Sequence, residues 1–128
     1  MDCLFCKIAN GEIPTKMVYE DELVSVFLDI NPHTNGNSLI VPKVHYLDYK
    51  EISDELNNHI NEVVKKLDKM YQEKLGSSGL TIIHNSGCGQ EVKHYHLHFI
   101  PRYENTDISL VPNRELEDLE TVYQKLMK

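Results

Sequence analysis

A chain of 128 residues is long enough for one domain around one hydrophobic core. With 41% hydrophobic and 26% charged residues it has the balance of an ordinary globular protein, and no apolar run approaches the ~18–20 residues that cross a bilayer. Its net charge of −7, from 13 basic and 20 acidic residues with the Lys and Arg dispersed, argues against long DNA or RNA as a partner, whose usual footprint is a basic patch. A small anionic ligand held by backbone N–H groups stays open.

The opening stretch, MDCLFCKIANGEIP, has no basic segment leading into an apolar one, so no secretory signal and a cytoplasmic location are expected. Three cysteines, two of them in Cys3-x-x-Cys6 and the third at Cys88, are an odd count that argues against a disulfide framework. Residues 17–20 and 23–29 read as two β-rich runs joined by a tight acidic turn. Pro32 and Asn35-Gly36 then break the chain, and residues 38–42 read as a short buried strand that stops at Pro42. Residues 53–75 predict a helix. Ser53 caps it, Asp54 and Glu55 suit its first turn, and Gly76 ends it. Leu56, Ile60, Val63, Val64, Leu67, Met70, Tyr71 and Leu75 form its apolar stripe. His59 lies off that stripe, on the surface, and Lys65 and Lys66 fall on the solvated face.

A strand at 80–84, a loop with Gly87 and Gly89, and a strand at about 93–101 come next. A last helix starts near Asn113 and turns Leu116, Leu119, Val122, Tyr123 and Leu126 toward the core. Strands, one long helix, then more strands make an α+β order. The simplest arrangement is an antiparallel sheet of about five strands with the long helix packed on one face, in a single domain over 1–128.

The stretch HYHLHF repeats histidine at every second position. In a strand, residues two apart share a face, so His94, His96 and His98 point one way and Tyr95, Leu97 and Phe99 the other. Successive imidazoles then sit roughly 6.5–7 Å apart. The triplet reads as a half-exposed polar face, as a metal-binding His-x-His pair, or as a nucleophile with orienting neighbours. The loop before it, Asn85-Ser86-Gly87-Cys88-Gly89-Gln90, offers close-approaching backbone N–H groups and neutral amides. That set suits phosphate oxygens better than a metal.

On these residues the chain resembles the histidine triad (HIT) superfamily of nucleotide hydrolases and transferases, and within it the Hint-type nucleoside phosphoramidases. The likeness extends over CLFCKIANGEIPTKMVYEDE, FLDINPHTNGNSLIVPKVH and GQEVKHYHLHFIPR, nearly all of residues 1–102. The resemblance implies that His96 is the nucleophile that attacks the α-phosphorus, with its other ring nitrogen held by the main-chain carbonyl of His94. It implies that His98 contacts the phosphate and bridging atom, and that Asn85, Gly89, Gln90 and Glu91 form the phosphate-side loop. Asp29 would bind the ribose hydroxyls, and it also reads as a turn cap before Asn31-Pro32. Phe27, Ile30, Phe5 and Ile8 would line the slot for the base.

Cys3 and Cys6 need two more ligands for a tetrahedral site, and His45 and His94 are the candidates. The resemblance implies a closed structural Zn2+ site of these four residues; the alternative is metal-free thiols on a short helix. It also implies a purine nucleotide substrate, with AMP conjugates foremost, and a homodimer with a continuous sheet. The other functions in view are a dinucleoside polyphosphate hydrolase, a non-catalytic nucleotide-binding adaptor and a metal hydrolase using the triad directly.

The chain departs from the family pattern in three places. The loop from Asn85 to Gln90 is shorter. Glu91 stands where serine is common, and it is expected to point away and offer only its N–H. Asn37 replaces a histidine. His33 reads as a solvent-exposed loop residue, with an approach to a ribose as the alternative, His84 as a core or supporting group, and Cys88 as an incidental small residue, with a thiol activated by the loop's N–H groups as the alternative.

Overall fold

The computed structural model describes residues 3–104 and 117–127. Five strands make one antiparallel sheet: β1 (Met17–Glu20), β2 (Val24–Leu28), β3 (Ser38–Pro42), β4 (Gly79–Ile83) and β5 (Leu97–Arg102), in the order β1-β2-β3-β5-β4. This is the α+β sheet that the element order predicts. The turn between β1 and β2 is held by Asp21, whose Oδ1 accepts from the N–H groups of Leu23 and Val24 at 2.8 and 2.9 Å. Its other carboxylate oxygen, Oδ2, lies 2.7 Å from the Nε2 of His59, so His59 is tied to the sheet rather than free on the surface.

The short helix α1 (Leu4–Ala9) and the long helix α2 (Asp54–Leu75) cover opposite faces of the sheet. Ser53 caps α2 by accepting from the Leu56 N–H, and Gly76 closes it in the left-handed conformation at φ 74°, which glycine adopts without steric cost. Leu56, Ile60, Val63, Leu67 and Tyr71 of α2 bury themselves against Val24, Val26, Ile40, Tyr95, Leu97 and Phe99. Phe27, Leu39 and Val41 face the other way, onto Phe5 and Ala9 of α1. Strand alternation thus divides the chain into two cores. The histidine side of the 94–98 segment falls on the α1 face, next to Cys3 and Cys6.

Three expectations need correction. First, β5 begins at Leu97 and not near 93. Continuing its register with β3 (Leu97 opposite Ile40) would bring Tyr95 opposite Pro42, which has no N–H to donate. The Tyr95 N–H goes to the Tyr46 carbonyl instead, at 2.7 Å. Second, β4 stops at Ile83, and His84 is exposed, its ring beside those of Tyr49 and Tyr95. Third, the last helix, α3 (Leu119–Met127), does not turn Tyr123 and Leu126 inward: they are 53% and 75% exposed. α1 and α2 already pack on the two sheet faces. Asn113 and Leu116, and the side chains of Leu119 and Val122, lie outside the described residues.

Candidate active site and metal centre

A cavity of about 560 Å³ opens on the α1 face of the sheet. Phe5 and Ile8 of α1 and Phe27 of β2 form its apolar end; Asp29 and Ile30 follow at the end of β2; Asn85, Gly89 and Glu91 come from the loop after β4; His96 and His98 lie on its floor. Ten of the residues singled out from the sequence therefore line one cavity. Ile30 stands at its rim, 89% exposed. Gln90 and His94 are not among the lining residues.

His96 is buried, and its Nδ1 lies 2.7 Å from the main-chain oxygen of His94. A carbonyl can only accept, so Nδ1 carries the proton and Nε2 keeps its lone pair. Phe5 meets the His96 ring edge to face at 4.8 Å, and His98 packs on it at 4.9 Å. Burial pushes His96 below the ordinary imidazole value, against the opposing pull of the His94 carbonyl, Asp29 and Glu91. Burial and the neighbouring His96 push His98 the same way. Both rings are therefore mainly neutral near pH 7, and a neutral imidazole is the nucleophilic form.

Asp29 accepts from the Asn31 N–H at 2.9 Å, and its own N–H goes to the Asn37 carbonyl. It therefore caps the turn and lines the cavity at once. Asn37 is buried and accepts from the His33 N–H at 2.9 Å. It holds the loop that brings His33 to the cavity wall. His33 is exposed, as its loop position predicts, and at the same time lines the cavity.

The loop after β4 is arranged differently from expectation. Gln90 is buried and donates from Nε2 to the Leu47 carbonyl at 2.6 Å, so its amide does not face the cavity. Val92 packs toward Phe5 and Phe27. With its neighbours on either side drawn inward, Glu91 is left exposed among the cavity residues, and its charge acts on both His96 and His98, so its influence on the cavity is not confined to its N–H. Lys93 ties the loop by donating to the Gly87 carbonyl at 3.0 Å. Cys88 is exposed and free.

The second cluster lies behind the first. Cys3 is the N-cap of α1, its sulfur accepting from the Cys6 N–H, and one helical turn brings the two thiols together. The Nδ1 of His94 is 3.4 Å from Cys3 Sγ and 3.3 Å from Cys6 Sγ, and the Nδ1 of His45 is 3.4 Å from Cys6 Sγ. The four ligand atoms lie within 4.8 Å of one another, a group that can hold a metal ion. A tetrahedron with metal bonds of about 2.0–2.3 Å has edges of about 3.3–3.8 Å, so the shortest contacts already fit. The Nε2 of His94 lies 2.9 Å from the Pro42 carbonyl, which assigns its proton to Nε2 and turns the Nδ1 lone pair to the thiols. Burial and the adjacent Cys3 push the Cys6 thiol up to about 11, and a bound dication is what would favour the thiolate there.

A five-stranded antiparallel sheet with a buried, carbonyl-oriented histidine facing a cavity beside a Cys/His cluster defines a known class. Residues 10–105 match the HIT domain family, and the chain belongs to it. It is 54% identical over 105 residues to a HIT-like protein of Methanocaldococcus jannaschii, covering 80% of each chain. It is 38% identical to the adenosine 5′-monophosphoramidase of Schizosaccharomyces pombe (80% of this chain, 75% of that one) and 37% identical to an adenylylsulfatase of Arabidopsis thaliana (80% and 53%). Among solved structures, a HIT family protein from Bacillus subtilis superposes with a TM-score of 0.80 at 37% identity, over 99% of this chain and 96% of that one. A zinc-bound histidine triad protein from Mycobacterium smegmatis gives 0.78 at 34% identity, over 90% and 86%.

Proposed function

We propose that the protein hydrolyses nucleoside 5′-phosphoramidates or related conjugates to the 5′-monophosphate, with AMP as the nucleotide released. The observation that carries this reading is the His96 ring: buried, neutral, and held through Nδ1 by the His94 carbonyl so that Nε2 is free to attack. Relatives named adenosine 5′-monophosphoramidase and adenylylsulfatase support the same chemistry. Phe5, Ile8, Phe27 and Ile30 would hold the base, Asp29 the ribose hydroxyls, and Asn85, Gly89 and the backbone of Glu91 the phosphate.

In the first step Nε2 of His96 forms a bond to the α-phosphorus. The phosphorus–nitrogen bond to the leaving amine breaks with its electron pair, on a nitrogen that has taken a proton from solvent. In the second step water attacks the phosphorus, the bond from phosphorus to Nε2 of His96 breaks with its electron pair returning to that nitrogen, and the water loses a proton to solvent, so His96 returns to its neutral form. His98, packed against His96, faces the phosphate and the departing atom. The protein's share is to position these groups and stabilise charge on the phosphate oxygens.

Cys3, Cys6, His45 and His94 would hold a structural Zn2+, in keeping with the zinc-bound relative and with reduced thiols in the cytoplasm. When bound, zinc would tie α1 to the segment that carries the nucleophile, and it supplies no Lewis acid to the cavity. Two copies would pair as a homodimer, a reading supported by the exposed Ile82 on the edge strand β4 and the exposed Tyr123 and Leu126 of α3. Sedimentation analysis, with a dimer expected, checks that part.

The reaction is tested with His96→Asn and an adenosine phosphoramidate. AMP release is expected to fall by about 10³-fold or more, since nothing else in the cavity replaces the nucleophile. Turnover at the wild-type rate in that variant overturns the mechanism.

A further inference from the structure

The cavity around His96 has a one-sided set of charged residues. Among the described residues that line it are two carboxylates, Asp29 and Glu91, and no lysine or arginine. Lys93 is close in sequence, but its ammonium is bonded to the Gly87 carbonyl and it does not line the cavity. Glu91 forms no ion pair with a described residue, and it lines the same cavity as His96 and His98. The two carboxylates also lie on different elements. Asp29 follows β2 and has its turn to cap, whereas Glu91 stands on the loop beside the histidine pair, where the bond is to break.

A carboxylate near a scissile phosphate repels further negative charge and attracts positive charge. We infer that Glu91 is a specificity residue that favours nucleotide conjugates whose leaving amine carries a second, positively charged group, and disfavours leaving groups that bring negative charge, such as sulfate, carboxylate or further phosphate. This rests on the function proposed above and names its substrate class: phosphoramidates of diamine-like or lysine-like amines rather than dinucleoside polyphosphates. Unit charges several ångströms apart at a protein surface shift an equilibrium by about threefold to thirtyfold, which sets the scale of the preference.

The test uses three adenosine phosphoramidates of matched length, made from a diamine, a neutral alkylamine and an amino acid whose carboxylate ends the arm. They are assayed without added divalent cations. For wild type, kcat/KM is expected to be at least about tenfold higher for the ammonium-bearing arm than for the carboxylate-bearing one. In Glu91→Gln that ratio is expected to fall several-fold, and in wild type it narrows as salt screens the charge. An equal rate on all three arms, or a ratio that Glu91→Gln leaves intact, overturns the assignment. Calorimetric binding of the same compounds to His96→Asn separates this from failure of the reaction itself. A charge preference in binding without any wild-type turnover would sink the hydrolase reading and leave Glu91 as the selector; turnover without a preference would do the reverse.

Discussion

His94 and His96 are two residues apart, on the same side of one extended segment, and each gives a ring N–H to a main-chain carbonyl. The results are opposite. In His94 the Pro42 carbonyl takes Nε2 and leaves Nδ1 to the thiols; in His96 the His94 carbonyl takes Nδ1 and leaves Nε2 to the cavity. One imidazole presents its lone pair to the thiols inside the protein and the other to the cavity. Residue type does not separate them. The choice of ring nitrogen does, and that follows from which carbonyl the fold brings near.

If the two sites are as distinct as this, they come apart under mutation. The His96→Asn variant described above loses turnover and is expected to retain the full complement of metal by elemental analysis. Cys6→Ala should do the converse. Metal content is expected to drop to near zero, and the thermal midpoint to fall on the order of 10 °C, because a ligand that binds only the folded state is gone. Turnover should decline by about 10–100-fold, the usual cost of disturbing a group that orients another, since His94 still offers its carbonyl but less rigidly. Abolition of activity on the scale of His96→Asn would merge the two sites into one.

His59 offers a third use of the same side chain, with a carboxylate as partner. Burial works to raise the carboxyl of Asp21, but the Tyr19 hydroxyl, the N–H groups of Val24 and Leu23, and His59 outweigh it and hold it down at about 2. A carboxyl depressed in the folded state stabilises the fold above its unfolded value, near 3.8, and that stability is lost as pH falls toward 2. The contribution at neutral pH is roughly 2 kcal/mol. Asp21→Asn is expected to lower unfolding stability by about that much at pH 7 and to make little difference near pH 2, as urea titrations at the two values will read. Equal effects at both values would assign Asp21 a packing role instead of an electrostatic one.

Local rules carried the reading of α2 and of the two faces of the histidine segment, because helical and strand periods are properties of neighbouring residues. Tyr95, Leu97 and Phe99 do lie in the α2 core, and the histidines do lie on the other side. What escaped the sequence depends on distant partners. The start of β5 is set by Pro42, more than fifty positions earlier, and the bond of Gln90 is to a carbonyl 43 residues away. The stripe on α3 says which of its residues are apolar, but whether this chain supplies the cover is not a property of the stripe, and for Tyr123 and Leu126 it does not.

The smallest expected effect concerns how firmly the loop side of the cavity is held compared with the histidine side. His96 is fixed by burial, a ring contact and a hydrogen bond, while the loop after β4 is fixed largely by Gln90 on the Leu47 carbonyl and by Lys93 on the Gly87 carbonyl. Gln90→Ala removes the buried donor and leaves the Leu47 carbonyl without it, a loss of about 1 kcal/mol. Because the anchored residue adjoins Glu91, the consequence should be felt less in stability than in discrimination. The backbone N–H of Glu91 and its carboxylate would both be less well aimed. KM for a phosphoramidate is then expected to rise by a few-fold with kcat nearly unchanged, since His96 is positioned from the other side. A fall in kcat with KM unchanged would mean that the loop positions the reacting phosphorus itself, and that the two sides of the cavity act as one unit.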